Sequence, residues 1–169
     1  TSAAFAALVN GRVQAIFASS PNDLQAAQAG FKALLELGDL NIPYIGNCSA
    51  AMRPYIAKQP GRMRSFIAGI TEAIAYIRRR PAEAKAVLEK YTRVSEPSVL
   101  QHAYDADTAY MEPVPRPSIE GTKTVLDHLG VTGRPAEQFV IDFIDDRFIK
   151  QIVDEGLVKQ LYPGGVPAR

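Results

Sequence analysis

Cysteine occurs once in this chain, at Cys48, so no intrachain disulfide can form and cysteine usage does not fix the redox compartment. Histidine is nearly as scarce: His102 and His128 lie far apart, without the spacing of a zinc-binding pair. No run approaches the roughly 18 to 20 apolar residues of a membrane-spanning helix. The first residues lack the basic start and cleavage signal of a secretory leader, and a chain opening on Thr1 is expected either to follow a processing event or to lack upstream sequence. An excess of either charge is also missing. Nineteen basic residues against 18 acidic leave a net charge of +1, so no global field recruits nucleic acid or an anionic membrane. The chain has no Gly-x-Ser-x-Gly elbow, dinucleotide or phosphate-loop glycine pattern, zinc pair or local cysteine–histidine arrangement. These absences shift the expectation from catalysis toward binding, with no catalytic residue, metal or cofactor assigned.

What is present is 169 residues, 47% hydrophobic and 22% charged, the composition of one globular domain or two small lobes with enough chain to bury a core. The most informative stretch is Val13-Gln14-Ala15-Ile16-Phe17-Ala18-Ser19-Ser20-Pro21-Asn22-Asp23-Leu24. An uncharged, largely apolar run stops at two serines, and a proline with an Asn-Asp pair opens a helical pattern. The sequence predicts a buried strand, a tight loop and a helix N-terminus. That turn of an α/β sheet is a natural seat for a polar or anionic small molecule, and equally an ordinary capped βα turn without a ligand.

Taken in order, Phe5, Leu8 and Val9 mark a short helix closed by Asn10-Gly11, and Arg12 lies at the entrance of the Val13–Ala18 strand. Asp23–Ala29 reads as a helix ended by Gly30, and Phe31–Leu37 as a second strand or a helix. Gly38–Asn41 is a turn, and Ile42–Ser49 an extended segment whose Pro43 suits an edge or a crossing between lobes. From Pro54 onward the pattern is helical. Met63, Phe66, Ile67, Ile70, Ile74 and Ile77 form one apolar stripe on a helix from Arg62 to about Arg80. Arg78-Arg79-Arg80 in its last turn is explained by the helix dipole and solvation. Pro81 and Ser95-Glu96-Pro97 open further helices. His102, near Asp105 and Asp107, reads as a surface histidine. The alternate prolines of Met111–Pro117 form a rigid connector, Ser118 restarts a helix ending at Gly130, and Gly133-Arg134-Pro135 breaks the chain again. Glu137–Leu161 is a final amphipathic stretch interrupted by Gly156.

Several pieces together resemble the carboxyl-terminal half of the solute-binding proteins of ABC importers in the nitrate, sulfonate, taurine and thiamine-precursor group. They are Leu8-Val9-Asn10-Gly11-Arg12-Val13-Gln14-Ala15, Gly30-Phe31-Lys32-Ala33-Leu34-Leu35, and Tyr55-Ile56-Ala57-Lys58-Gln59-Pro60 with Arg64–Ala68 and Glu72-Ala73. Asp146-Arg147-Phe148-Ile149 with Gly156 and Leu161-Tyr162 completes the series. These motifs stand in the family's order along nearly the whole chain. Gln14 departs from the family's usual aspartate.

The resemblance implies an α/β fold: part of a type II periplasmic-binding architecture, helix-rich in this segment. Residues 1–41 would end the second lobe, and 42–169 would form the hinge return and the helical part of the first. A solute would be held by Ser19, Ser20 and Asn22 and, across a hinge near Gly38–Gly46, by Asn47, Cys48 and Ser49, whose hydroxyl and amide groups orient polar molecules without a charged clamp. For Cys48 the sequence favours a small buried residue over a ligand. The implied role is a periplasmic or otherwise extracytoplasmic component that docks on a membrane permease. Identical chains pair if the missing strands have no other source. A pyrimidine-precursor synthase of thiamine biosynthesis shares that fold but carries a cysteine-rich motif, whereas this chain has only Cys48. A helical interaction domain is the third expectation.

Overall fold

A computed structural model describes residues 2–130 and 136–167. The expected break at Gly133-Arg134-Pro135 lies outside the described residues. Among the described residues ten α-helices follow one another: α1 (Ser2–Val9), α2 (Asn22–Gln28), α3 (Arg53–Lys58), α4 (Pro60–Arg79), α5 (Pro81–Thr92), α6 (Pro97–Ala109), α7 (Ile119–His128), α8 (Ala136–Phe143), α9 (Arg147–Asp154) and α10 (Leu157–Leu161). A single turn of tighter 3-10 helix spans Leu37–Leu40.

Local chemistry sets most of the helix ends. Pro81 and Pro97 begin α5 and α6, where a missing N–H costs no intrahelical bond. Ser118 caps α7, its Oγ accepting from the Gly121 amide at 2.9 Å. Gly11, Gly30 and Gly130 follow helices in left-handed conformations, φ +66°, +87° and +61°, that a side chain would strain. Gly156, at φ +88°, separates α9 from α10 where the amphipathic pattern breaks.

The chain divides into two compact units. One comprises Thr1–Asp39 and Ile77–Met111, in which α1 meets α2 and α5 meets α6. Its buried apolar side chains are Leu8, Val99 and Leu100. The other comprises Leu40–Tyr76 and Glu112–Arg169, in which α7 packs on α8 and α9 on α10. Its core holds Ala75, Val158 and Tyr162, with Val114, Val153 and Leu161 packed around them. Ile152 and Val140 are also fully enclosed. The Tyr162 hydroxyl donates to the Pro113 carbonyl at 3.2 Å, which ties the proline-rich connector to the end of α10. Buried Thr71 satisfies its hydroxyl within α4, donating to the Ile67 carbonyl at 2.8 Å.

The helical expectations from Pro54 to Gly130 are met to within a few residues, but the α/β expectation is overturned, and with it the type II periplasmic architecture. No strand is present among the described residues. Val13–Ala18 runs without regular structure and leaves Phe17 83% exposed, so it is not a buried strand. Phe31–Leu37 is not a strand either: Leu34 is 84% exposed and Leu37 enters the 3-10 turn. A helix closes its hydrogen bonds within one segment, whereas a strand exists only through a partner's N–H and C=O groups. Neither apolar run meets such a partner here, so composition alone does not make a sheet. Ile42–Ser49 is irregular and mostly exposed, without helix.

Candidate functional site

The turn from Ser19 to Asp23 is built by its own backbone. The Ser19 carbonyl accepts from the Asn22 amide at 2.9 Å and from the Asp23 amide at 3.4 Å, and a cis Ser20–Pro21 peptide lies within the turn. Asp23 uses its two carboxylate oxygens differently. Oδ1 accepts from the Leu24 amide at 2.8 Å, while Oδ2 lies 2.8 Å from His102 Nε2 on α6. That pair fastens the first turn of α2 to a helix 79 positions away in the chain. Both side chains remain about a third exposed, 36% for His102 and 37% for Asp23, so solvent screens the attraction.

Ser20 stands out within the turn. Its Oγ is buried and has no hydrogen-bond partner among the described residues. A hydroxyl left so costs roughly 1–3 kcal/mol relative to a satisfied one, so the position favours any molecule that supplies a donor or acceptor. Ser19 is exposed and Asn22 half-buried beside it.

The other three expected ligands, Asn47, Cys48 and Ser49, lie in the irregular segment of the second unit and are exposed. Each trio is held together by chain continuity.

Sequence reasoning missed two side chains of the first unit. His102, read as a surface histidine, is half-buried and paired. The available signal was its position three residues after buried Val99, on the packed face of α6. Arg78, read as solvated at its own helix end, instead caps a different helix. Its Nη1 donates to the Thr108 carbonyl at 3.1 Å and the Met111 carbonyl at 2.6 Å, at the carboxyl end of α6. Arg78 also lines, with Tyr104, Asp105, Thr108 and Ala109, a cleft of about 250 Å³.

In the second unit a charged contact joins Arg64 on α4 to Glu155 after α9. Arg64 Nε donates to Oε1 at 3.2 Å and Nη2 to Oε2, a two-pronged arrangement. The hydrogen bond from Arg64 holds the Glu155 carboxyl below its ordinary value, opposed by desolvation and aided by a bond from Gln151 and by the Arg64 charge. The Arg64 guanidinium is raised in turn, first by the same hydrogen bond. Among the described residues no group of three or more His, Cys, Asp or Glu side chains could hold a metal ion. No helix among them is long and apolar enough to cross a membrane.

Comparison of the chain with protein-family models, with curated proteins and with solved structures finds no match.

Proposed function

We propose that the chain is an extracytoplasmic solute-binding component of an ABC importer, capturing a small polar or anionic nutrient of the nitrate, sulfonate or thiamine-precursor class for a membrane permease. The observation that carries the reading is the buried, unpartnered Ser20 hydroxyl in the Ser19–Asp23 turn. It falls in the turn to which the sequence resemblance assigns the first solute contacts. The ordered series of resembling motifs along the chain supports the same reading. The reading assigns the first contacts to Ser19, Ser20 and Asn22, with polar groups that accept and donate without demanding a charge.

A thermal-shift panel of nitrate, methanesulfonate and an aminopyrimidine tests it. A bound solute at 100 times its dissociation constant stabilises the protein by about 2.7 kcal/mol, and Ser20→Ala should abolish the shift. Failure of all three solutes to move the parent transition removes the reading.

A second reading, a helical interaction domain, is favoured by apolar side chains left in solvent on the helices of the second unit. Phe66 on α4 and Ile141 and Phe143 on α8 are 48%, 67% and 67% exposed. Light scattering after size exclusion separates the two: a monomer at every concentration, with a solute-dependent transition, leaves only the first.

A further inference from the structure

Arg78 and Asp105 line one cleft of about 250 Å³ in the first unit, with Tyr104, Thr108 and Ala109 completing its wall. Both side chains border this cleft, and the two are not ion-paired among the described residues. Each is held in place by something else. Arg78 is fixed through Nη1 by the two carbonyls at the end of α6, and its Nη2 and Nε have no protein partner among the described residues. Asp105 is fixed through Oδ1, which accepts from Gln101 Nε2 at 2.8 Å, while Gln101 Oε1 accepts from Lys85 Nζ at 2.5 Å. The second Asp105 oxygen has no partner among the described residues.

The hydroxyls of the wall add to this. The Tyr104 hydroxyl donates to the Ile77 carbonyl at 2.9 Å and that of Thr108 to the Tyr104 carbonyl at 2.7 Å. Their protons are committed, so each offers a ligand only lone pairs. The cleft therefore presents N–H donors from one fixed cation, and acceptors from one fixed anion and two hydroxyl oxygens. A simple anion would meet the Asp105 charge, and a simple cation the Arg78 charge. The cleft is small and open to solvent, which suits a small solute better than a drug-sized ligand.

We infer that this cleft binds a small zwitterion, an amino acid whose carboxylate meets Arg78 and whose ammonium meets Asp105. The proposal uses none of the residues of the Ser19–Asp23 turn and does not rest on the solute-binding reading of that turn.

Titration calorimetry of the whole chain with glycine, β-alanine and γ-aminobutyrate spaces the two charges by one, two and three methylenes, with acetate and methylammonium as single-charge controls. At least one zwitterion should bind saturably and up to about fivefold tighter than either control, since a solvent-screened charged contact contributes at most about that much. Asp105→Asn should remove that preference, leaving the ligand-free melting temperature within about 2 °C of the parent, as expected of an exposed position. Absence of saturable binding by all three zwitterions, binding of acetate as tight as theirs, or an unchanged preference in Asp105→Asn would each overturn the inference. Because the aminopyrimidine, nitrate and methanesulfonate panel does not involve Asp105, failure here and failure there are told apart.

Discussion

His102 Nε2 lies 2.8 Å from Asp23 Oδ2, so the start of α2 is held by a side chain on α6 rather than by a cap of its own. α2 has seven residues, none of them buried, and a helix of that length is marginal in water without tertiary support. A half-exposed pair of this kind contributes at most about 1 kcal/mol. Replacing His102 by Leu should therefore leave global stability nearly unchanged but loosen α2 locally. Amide exchange at Leu24–Gln28 should accelerate by up to about fivefold, while protection in α6 holds. Equal protection in the variant and the parent would show that α2 is held by other contacts.

The Arg64–Glu155 contact sets a pH dependence whose sign follows from the lowered carboxyl. The Glu155 carboxyl titrates below its ordinary 4.5 in the folded chain. Its contribution is therefore fully present above that value and is lost as pH falls through the folded-state value. The raised Arg64 works in the other direction, its contribution lost only at alkaline pH beyond the range of ordinary measurement. Melting curves from pH 6 down to pH 2 should show a shallower acid limb for Glu155→Gln than for the parent, with the two converging at the acid end. Parallel limbs would mean the ion pair does not link folding to protonation.

Much of the helical layout was legible because its signals are local. Pro81, Pro97, Ser118, Gly130 and Gly156 each act on a backbone within one turn of themselves, and each stands at a helix boundary. The stripe from Met63 to Ile77 likewise needs only its own spacing. The contacts that organise each unit are not local. His102 meets Asp23 across 79 positions, Arg64 meets Glu155 across 91, and Arg78 reaches Thr108 and Met111 across 30 and 33. No spacing rule reports such pairs. The two expected strands fail for a related reason: Val13–Ala18 has the apolar content of a strand, but strand formation depends on a partner edge that residue types do not reveal. At the candidate site the serines and Asn22 were readable as polar loop residues. The burial of Ser20 Oγ was not.

Two glycines that look alike in sequence should respond differently to alanine. A Cβ at Gly38 would overlap the Tyr110 hydroxyl, the far end of a side chain that is 59% exposed and free to swing away. At Gly121, inside α7, a Cβ would meet the backbone carbon of Tyr44 at 2.9 Å and the amide nitrogen of Ile45 at 3.0 Å. Backbone cannot retreat so cheaply. Alanine in a helix interior gains up to about 1 kcal/mol over glycine, but overpacking costs about 1–3 kcal/mol. Gly121→Ala should thus be net destabilising by up to about 2 kcal/mol in urea unfolding, and Gly38→Ala should stay within about 0.5 kcal/mol of the parent. A stabilised Gly121→Ala would show that the Tyr44–Ile45 segment does not press on α7.

The core of the second unit makes the sharpest quantitative claim. In α9, Phe148, Ile149 and Ile152 are buried while Lys150, Gln151 and Asp154 face solvent, so one face of an eight-residue helix carries its attachment. Ile152 has no exposed surface at all. Truncating it to alanine removes three buried carbons and leaves a cavity, a change that costs about 2–5 kcal/mol in well-packed cores. Phe143 on α8 is a larger side chain but 67% exposed, so its truncation forfeits little burial. In urea titrations followed by circular dichroism, Ile152→Ala should lower the midpoint strongly and Phe143→Ala by less than about 1 kcal/mol equivalent. The contrast separates a packed core from a loose helical assembly. If both variants shifted the midpoint by the same small amount, Ile152 would not be enclosed in solution, and the packing of α9 onto α10 would have to be redrawn.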